Sequence, residues 1–326
     1  MIGLLRMVAW IVVLSVIVSA AVWYLGPREP VVTDADFDQG ALGDDLDAYF
    51  QRVEADVPDL REAARKRVVW AGAPGAVTPL AILYLHGFSA SAEEIRPVPD
   101  IVADALGANL IYTRLTGHGR DGAAMAEASV QDWMGDVAEG LAAARQVGER
   151  VVILSVSTGG TLAALVPFDA AMSEDLAGIA FVSPNFRIAN PAAALLTWPM
   201  ARTWVPLVTG QDRAFEPQNP EHAAHWTTRY PTRALMPMAA VVRHASGRDY
   251  GGVDVPALFA FSPDDAIVDQ SRTREIAEGW GGPARIEPIT LTPGNDPDNH
   301  VIAGDILSPG MTQPVAEIII DWAGGL

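Results

Sequence analysis

The chain has 326 residues, enough for one large domain with insertions or for two of average size. Half of them are hydrophobic, so a substantial core is available and the composition argues against disorder. With 22 basic against 40 acidic side chains the formal charge is −18, which argues against a nucleic-acid partner, and the lack of cysteine excludes disulfides, thiolate metal sites and a cysteine nucleophile.

The first element in chain order is an uncharged apolar run, "MVAWIVVLSVIVSAAVWYL", over residues 7–25. As a helix it is about 28 Å long, close to the thickness of a hydrocarbon core. Arg6 precedes it, whereas Asp34, Asp36 and Asp38 follow, so the positive-inside bias predicts that the bulk of the chain lies outside the cytoplasm. Trp23 and Tyr24 would sit at the far interface. The competing reading is a cleaved signal peptide with its small-residue site at Val18-Ser19-Ala20. Both readings export the protein, as a membrane-anchored or a secreted form. Residues 1–28 are therefore read as anchor or signal, and the Pro-, Gly- and Asp-rich residues 29–45 as a linker.

Beyond residue 45, β-type runs alternate with helical patterns. The runs are 67–71, 80–86, 108–114, 150–156, 178–183, 256–262 and 284–291. Several are apolar throughout, as expected for strands buried on both faces of a largely parallel sheet. Between them, Val130, Trp133, Met134, Val137, Leu141 and Ala144 recur at helical spacing and predict a helix over 130–147. The alternation predicts a doubly wound α/β fold. Its rhythm breaks over 185–254, which is rich in Pro and aromatic residues and too long for a simple connection. This stretch is read as a helical insertion over the carboxyl edge of the sheet, dividing the α/β core into residues 46–184 and 255–326.

The run 150–156 ends in "SVSTGG", which offers two serines. A nucleophilic serine on a sharp strand-to-helix turn needs small residues two before and two after it. Ser157 has Ser155 and Gly159 there, whereas Ser155 would have the large Ile153, so Ser157 is the candidate nucleophile. The chain order then requires an acid and, last, a histidine base. Of six histidines, only His300 lies on a loop after the last β-type run. Asp264 and Asp265 follow the run 256–262; one of them would orient His300 and the other cap the next helix. In "LHGFSAS" (85–91), Gly87 lets the backbone turn so that the Phe88 N–H faces the reacting carbonyl, with the Thr158 N–H as second oxyanion donor.

At these motifs, together with "RLTGHGRDG" (114–122), "SVQDWMGDV" (129–137), "SPDDAIVD" (262–269) and "NHVIAGD" (299–305), the chain resembles the α/β-hydrolase superfamily, in its branch of carboxylesterases and monoacylglycerol lipases. The resemblance spans residues 80 to 320. It implies an α/β-hydrolase fold with 185–254 as a helical cap, and a serine hydrolase acting on carboxylic esters with short- to medium-chain acyl or monoacylglycerol-like groups. It implies no cofactor and no metal. Ser262 stands where the branch has glycine three residues before the acid, which selects Asp265 over Asp264; Ser155 likewise replaces a glycine. His86 is implied to be structural beneath the oxyanion loop, and His118 to shape a loop near the pocket.

Two further classes compete with the esterase. A thioesterase or other acyl hydrolase would use the same triad, and a non-catalytic binder would keep the fold without turnover. The pair in "HAAH" (222–225) is at most a weak metal motif, and it reads as two surface histidines of the cap.

Overall fold

A computed structural model describes residues 2–326. Its first helix, α1 (Ile2–Leu25), has no buried residue and is long and apolar enough to span a membrane. Residues 29–45, expected as a free linker, instead lie along the domain. Val31, Ala35 and Phe37 pack against the main core, and Leu42 is buried within it. Their apolar side chains gain more from burial than a solvated tether would.

Helix α2 (Leu46–Ala55), capped by Asp45, leads into β1 (Arg67–Val69) and β2 (Thr78–Leu85). There follow α3 (Val98–Leu106), β3 (Asn109–Tyr112), α4 (Val130–Val147), β4 (Gly148–Val156), α5 (Thr158–Ala163) and β5 (Leu176–Val182). Helix α4 covers the expected range. Its start is set by a capping box in which Ser129 and Asp132 satisfy each other's backbone N–H groups. It runs directly into β4 at Gly148, where a Cβ would stand 2.6 Å from the Ala81 backbone nitrogen.

The stretch 185–254 contains α6 (Ala201–Thr209), a two-stranded antiparallel ribbon of β6 (Asp212–Ala214) and β7 (Arg229–Pro231), α7 (Pro220–His225) and α8 (Leu235–Ser246). The ribbon was not foreseen, because three-residue strands carry no periodicity. Helix α8 buries Met238, Val241, Val242 and Ala245 in the main core beside α4 and α5. It is the crossover helix between β5 and β8 (Ala257–Phe261), so the overlying part of this stretch ends near residue 234. The chain closes with α9 (Gln270–Glu278), β9 (Ala284–Pro288) and α10 (Thr312–Ala323).

The seven main strands are ordered β1-β3-β2-β4-β5-β8-β9, all parallel except the edge strand β1. Alternate side chains of β2 serve two cores. Ala81, Leu83 and Leu85 face the layer of α4, α5 and α8, while Ile82 and Tyr84 face α3 and α10. The fold is therefore the α/β-hydrolase type, with β4 central and its carboxyl end open toward residues 185–234.

Lys66, the only lysine, is buried and ion-paired with Asp136 and Glu139 of α4. Asp136 also accepts the Thr116 N–H at 2.6 Å, and Glu54 of α2 holds Arg114 at 2.7 Å. The amino-terminal segment thus braces the loop 114–119, which lies under the candidate site.

Candidate active site

Strand β4 delivers Ser157 onto the turn into α5 at φ +49° and ψ −114°, outside the basins ordinary L residues occupy. The strained position is held by the Ser157 N–H donating to Val182 O (3.1 Å) and by the Asn185 N–H donating to Ser157 O (2.9 Å). Gly159 has to be glycine: a Cβ there would meet the Leu85 carbonyl and stand 2.7 Å from that of His86. Ser155 is fully buried and donates its hydroxyl to Ala180 O at 3.1 Å. The serine that departs from the family's glycine is thus accommodated by a strand carbonyl.

The His300 ring bridges Ser157 and Asp265. Its Nε2 lies 3.0 Å from Ser157 Oγ and its Nδ1 2.8 Å from Asp265 Oδ2. The other Asp265 oxygen accepts the Ile267 and Val268 N–H groups at 2.8 and 2.9 Å, so the carboxylate is locked. Asp264 is exposed one residue away. It does not cap α9, as had been expected of it; Asp269, directly before that helix, does. Five residues separate Asp264 from the start of α9, too far for a cap. Ser262 accepts the Asp264 N–H at 3.2 Å, so its hydroxyl completes the turn.

Burial alone would lower the His300 pKa, but the Asp265 carboxylate beside it, with Glu94 and Asp296 nearby, raises it above the ordinary histidine value. The ring is buried, so these fields act with little solvent screening.

Two carboxylates that sequence reasoning missed frame the site. Asp296 accepts the His300 and Val301 N–H groups at 3.0 and 2.9 Å, and takes the Gln218 side-chain amide at 2.8 Å. It therefore ties the histidine loop to the overlying segment. Its position four residues before the histidine was the available signal, but Asp-rich loops are too common for that to count. Glu94 is buried and accepts the Gly87 N–H at 2.5 Å. Burial pushes its carboxyl up to about 7 against the pull of the Gly87 N–H and His300. Gly87 lies between Glu94 and Ser157: a Cβ on it would stand 2.7 Å from the carboxylate and 3.1 Å from the serine Cβ.

Among the described residues, neither the Phe88 nor the Thr158 N–H donates to a protein acceptor. Both are therefore free to face a ligand oxygen. The Phe88 loop is tied to the overlying segment where the Thr227 N–H donates to Ser89 O at 2.7 Å. Beneath it, His86 is fully buried, with Nδ1 donating to Gly87 O and Nε2 accepting the Leu115 N–H. Burial pushes this histidine down to about 4, so it remains neutral. His118 is buried 5.6 Å from the Phe88 ring and is lowered further, by burial and then by His86.

His222 is not the surface residue expected of it. It is buried against Trp226, and its Nδ1 accepts the Gln218 N–H. The ring instead packs against those of Phe215 and Trp226. Among the described residues no cluster of three metal-ligating side chains occurs. A cleft of about 590 Å³, lined by Arg150, Asp175 and Trp322, lies at the amino-terminal edge of the sheet, the end opposite Ser157. Ligands of open α/β sheets bind at the carboxyl ends, the end where Ser157 lies.

Asp296→Ala should misplace the histidine by stranding two N–H donors. The expected loss in kcat for an ester is about 100-fold with little change in KM, measured by steady-state kinetics.

Fold and site together define a lipase- or esterase-type hydrolase of the α/β-hydrolase fold. The chain belongs to the Hydrolase_4 family (serine aminopeptidase, S33), whose model matches residues 76–285, well over half its length. It is 25% identical over 201 residues to the thermostable monoacylglycerol lipase of Bacillus sp. (strain H-257), covering 62% of this chain and 76% of that one. Among solved structures it resembles one from the metagenome-derived lipolytic enzymes LipS and LipT, with a TM-score of 0.66 and 19% identity over 82% of this chain and 100% of that one. It also resembles a soluble variant of the monoglyceride lipase of Saccharomyces cerevisiae in complex with a substrate analogue. There the TM-score is 0.58 and the identity 12%, over 82% and 95% of the two chains.

Proposed function

We propose that the protein is a serine carboxylesterase for uncharged, fairly apolar esters, with short- to medium-chain acyl or monoacylglycerol-like groups. The observation that carries this reading is the unbroken chain from Ser157 Oγ through the His300 ring to Asp265. Ser157 attacks the acyl carbon as His300 Nε2 takes the hydroxyl proton, and Asp265 stabilises the imidazolium so formed. The Phe88 and Thr158 N–H groups receive the oxyanion, a contribution worth about 3–4 kcal/mol per donor in comparable sites. Collapse of the tetrahedral species releases the alcohol, which leaves with the proton from His300. Water, deprotonated by the same histidine, then attacks the acyl-enzyme and regenerates Ser157.

The apolar acyl preference is supported by the buried rings of His118, Trp133 and Tyr230 around Phe88. The apolar α1, uncharged from residue 7 to its end, supports an exported protein held at a membrane by its first helix. The cap role of the segment from 185 to about 234 is supported by its bonds to both the histidine loop and the Phe88 loop.

The test is a fluorophosphonate probe followed by an acyl-chain series. A covalent adduct on Ser157 and turnover that peaks at one chain length are expected. No adduct on folded protein would leave a silent binder, and turnover confined to thioesters would move the assignment to that class.

A further inference from the structure

The helix α1 does not leave the domain through free chain; its end is fastened to one edge of residues 185–234. Pro27 O accepts the Met200 N–H at 2.6 Å. Arg28 lies over the Trp23 ring and donates to Thr197 O at 3.0 Å, and Trp23 meets Trp198 edge-on at 5.3 Å between ring centres. Glu29, its side chain only 4% exposed, accepts from Nε and Nη2 of Arg202 at 2.5 and 2.6 Å. Residues 197–202 are thus held within a side chain's length of the point where α1 ends.

That edge exposes apolar surface at a cost that folding does not require. Beyond residue 25, Leu207 and Val208 are the most exposed large apolar side chains among the described residues, at 75% and 74%, on the helix that carries Arg202. Trp198 and Met200 beside them are also exposed. The local charge runs against the rest of the chain. Residues 185–243 hold six arginines (187, 202, 213, 229, 233 and 243) against three carboxylates (212, 216 and 221) in a protein of net charge −18; Arg187, Arg202 and Arg229 are ion-paired with Asp269, Glu29 and Asp212, whereas Arg213, Arg233 and Arg243 make no ion pair among the described residues. Arg243 reaches Thr197 Oγ1 at 3.0 Å, so it stands with Arg28 at the end of α1. Exposed aromatic, aliphatic and arginine side chains together are the composition that favours a lipid interface, where rings and guanidinium groups sit at headgroup depth.

We propose that the edge formed by residues 197–208 docks on the surface of an anionic lipid bilayer, with Leu207 and Val208 entering the headgroup region. The Glu29–Arg202 pair acts as the staple that fixes this edge to the anchor. The proposal rests on the reading of α1 as a membrane anchor. Its geometric support is that a helix ending within hydrogen-bond distance of Met200 brings that edge to the interface wherever α1 crosses. Further along the same overlying stretch, Thr227 and Gln218 are bonded to Ser89 and Asp296, so docking would hold the site at a fixed height above the lipid.

The absence of native cysteine makes the test direct. Single substitutions Leu207→Cys, Val208→Cys, Val13→Cys and Val77→Cys each carry an environment-sensitive fluorophore on the full chain. The protein is reconstituted in vesicles of phosphatidylcholine and phosphatidylglycerol containing a headgroup-level nitroxide lipid. Val13 reports the anchor, and exposed Val77 reports water at the amino-terminal edge of the sheet. Labels at 207 and 208 should emit at shorter wavelength than the label at 77 and lose most of their intensity to the nitroxide. Adding Glu29→Ala should restore much of that intensity. Emission at 207 and 208 matching that at 77, with the label at 13 embedded, overturns the docking and leaves the anchor standing. A label at 13 that matches 77 overturns the anchor and the docking with it. Quenching unaltered by Glu29→Ala overturns the staple.

Discussion

Ser157→Ala should lower kcat/KM for p-nitrophenyl esters by about 10⁴- to 10⁶-fold, the range seen when a triad nucleophile is removed and only binding and oxyanion contacts remain. The matched variant Ser155→Ala should keep turnover within a few-fold. Its hydroxyl serves only Ala180 O, and the loss of that bond costs stability of about 1 kcal/mol. Two serines separated by one valine are thus predicted to differ by orders of magnitude. Equal losses in both variants, with thermal melts showing both folded, would remove Ser157 as nucleophile.

Asp265→Asn should cost about 10⁴-fold in kcat, because the amide no longer fixes the imidazole tautomer or stabilises its cation. Asp264→Asn, one residue away but exposed, should be close to neutral. The pH profile separates positioning from charge. In the parent protein burial disfavours the charged ring, yet Asp265, Glu94 and Asp296 raise the His300 pKa on balance. His300 must be neutral to accept the serine proton, so kcat/KM should fall as pH drops through a midpoint above that of an ordinary histidine. Asp265→Asn removes the largest of the raising influences, so the residual activity should show its acid limb at lower pH. For stability the sign is opposite to that of activity. A histidine whose folded pKa is raised contributes stability that is fully present below its unfolded pKa and is lost as pH rises through the folded value. An acid limb unmoved in Asp265→Asn would mean that another group sets the profile.

Glu94 complicates that limb in a way the sequence did not announce. Its carboxyl, raised to about 7 by burial, interacts with His300, so the observed midpoint belongs to the pair and not to the histidine alone. Read in the chain, "SAEEIRP" offers two adjacent glutamates with nothing to separate Glu93, half-buried and paired with Arg67 and Arg96, from Glu94, buried against the Phe88 loop. Which of them turned inward depended on the packing of the loop against Gly87 and Gly304, contacts between segments far apart in the chain.

The amino-acid sequence by itself determined the parallel sheet, helix α4 and the apolar first helix, and it singled out Ser157 over Ser155 as the serine for the turn after β4. Those outcomes rest on local pattern: runs apolar on both faces, helical spacing, and small residues flanking a turn. The tertiary structure alone decided four further matters: which aspartate faces His300 without appeal to resemblance, that Asp296 and Glu94 frame the ring, that α8 belongs to the core, and that residues 27–29 are fastened to the segment they were expected merely to precede. Each depends on side chains distant in sequence meeting in a shared low-dielectric space. There burial and hydrogen bonding assign different fates to residues of identical chemistry.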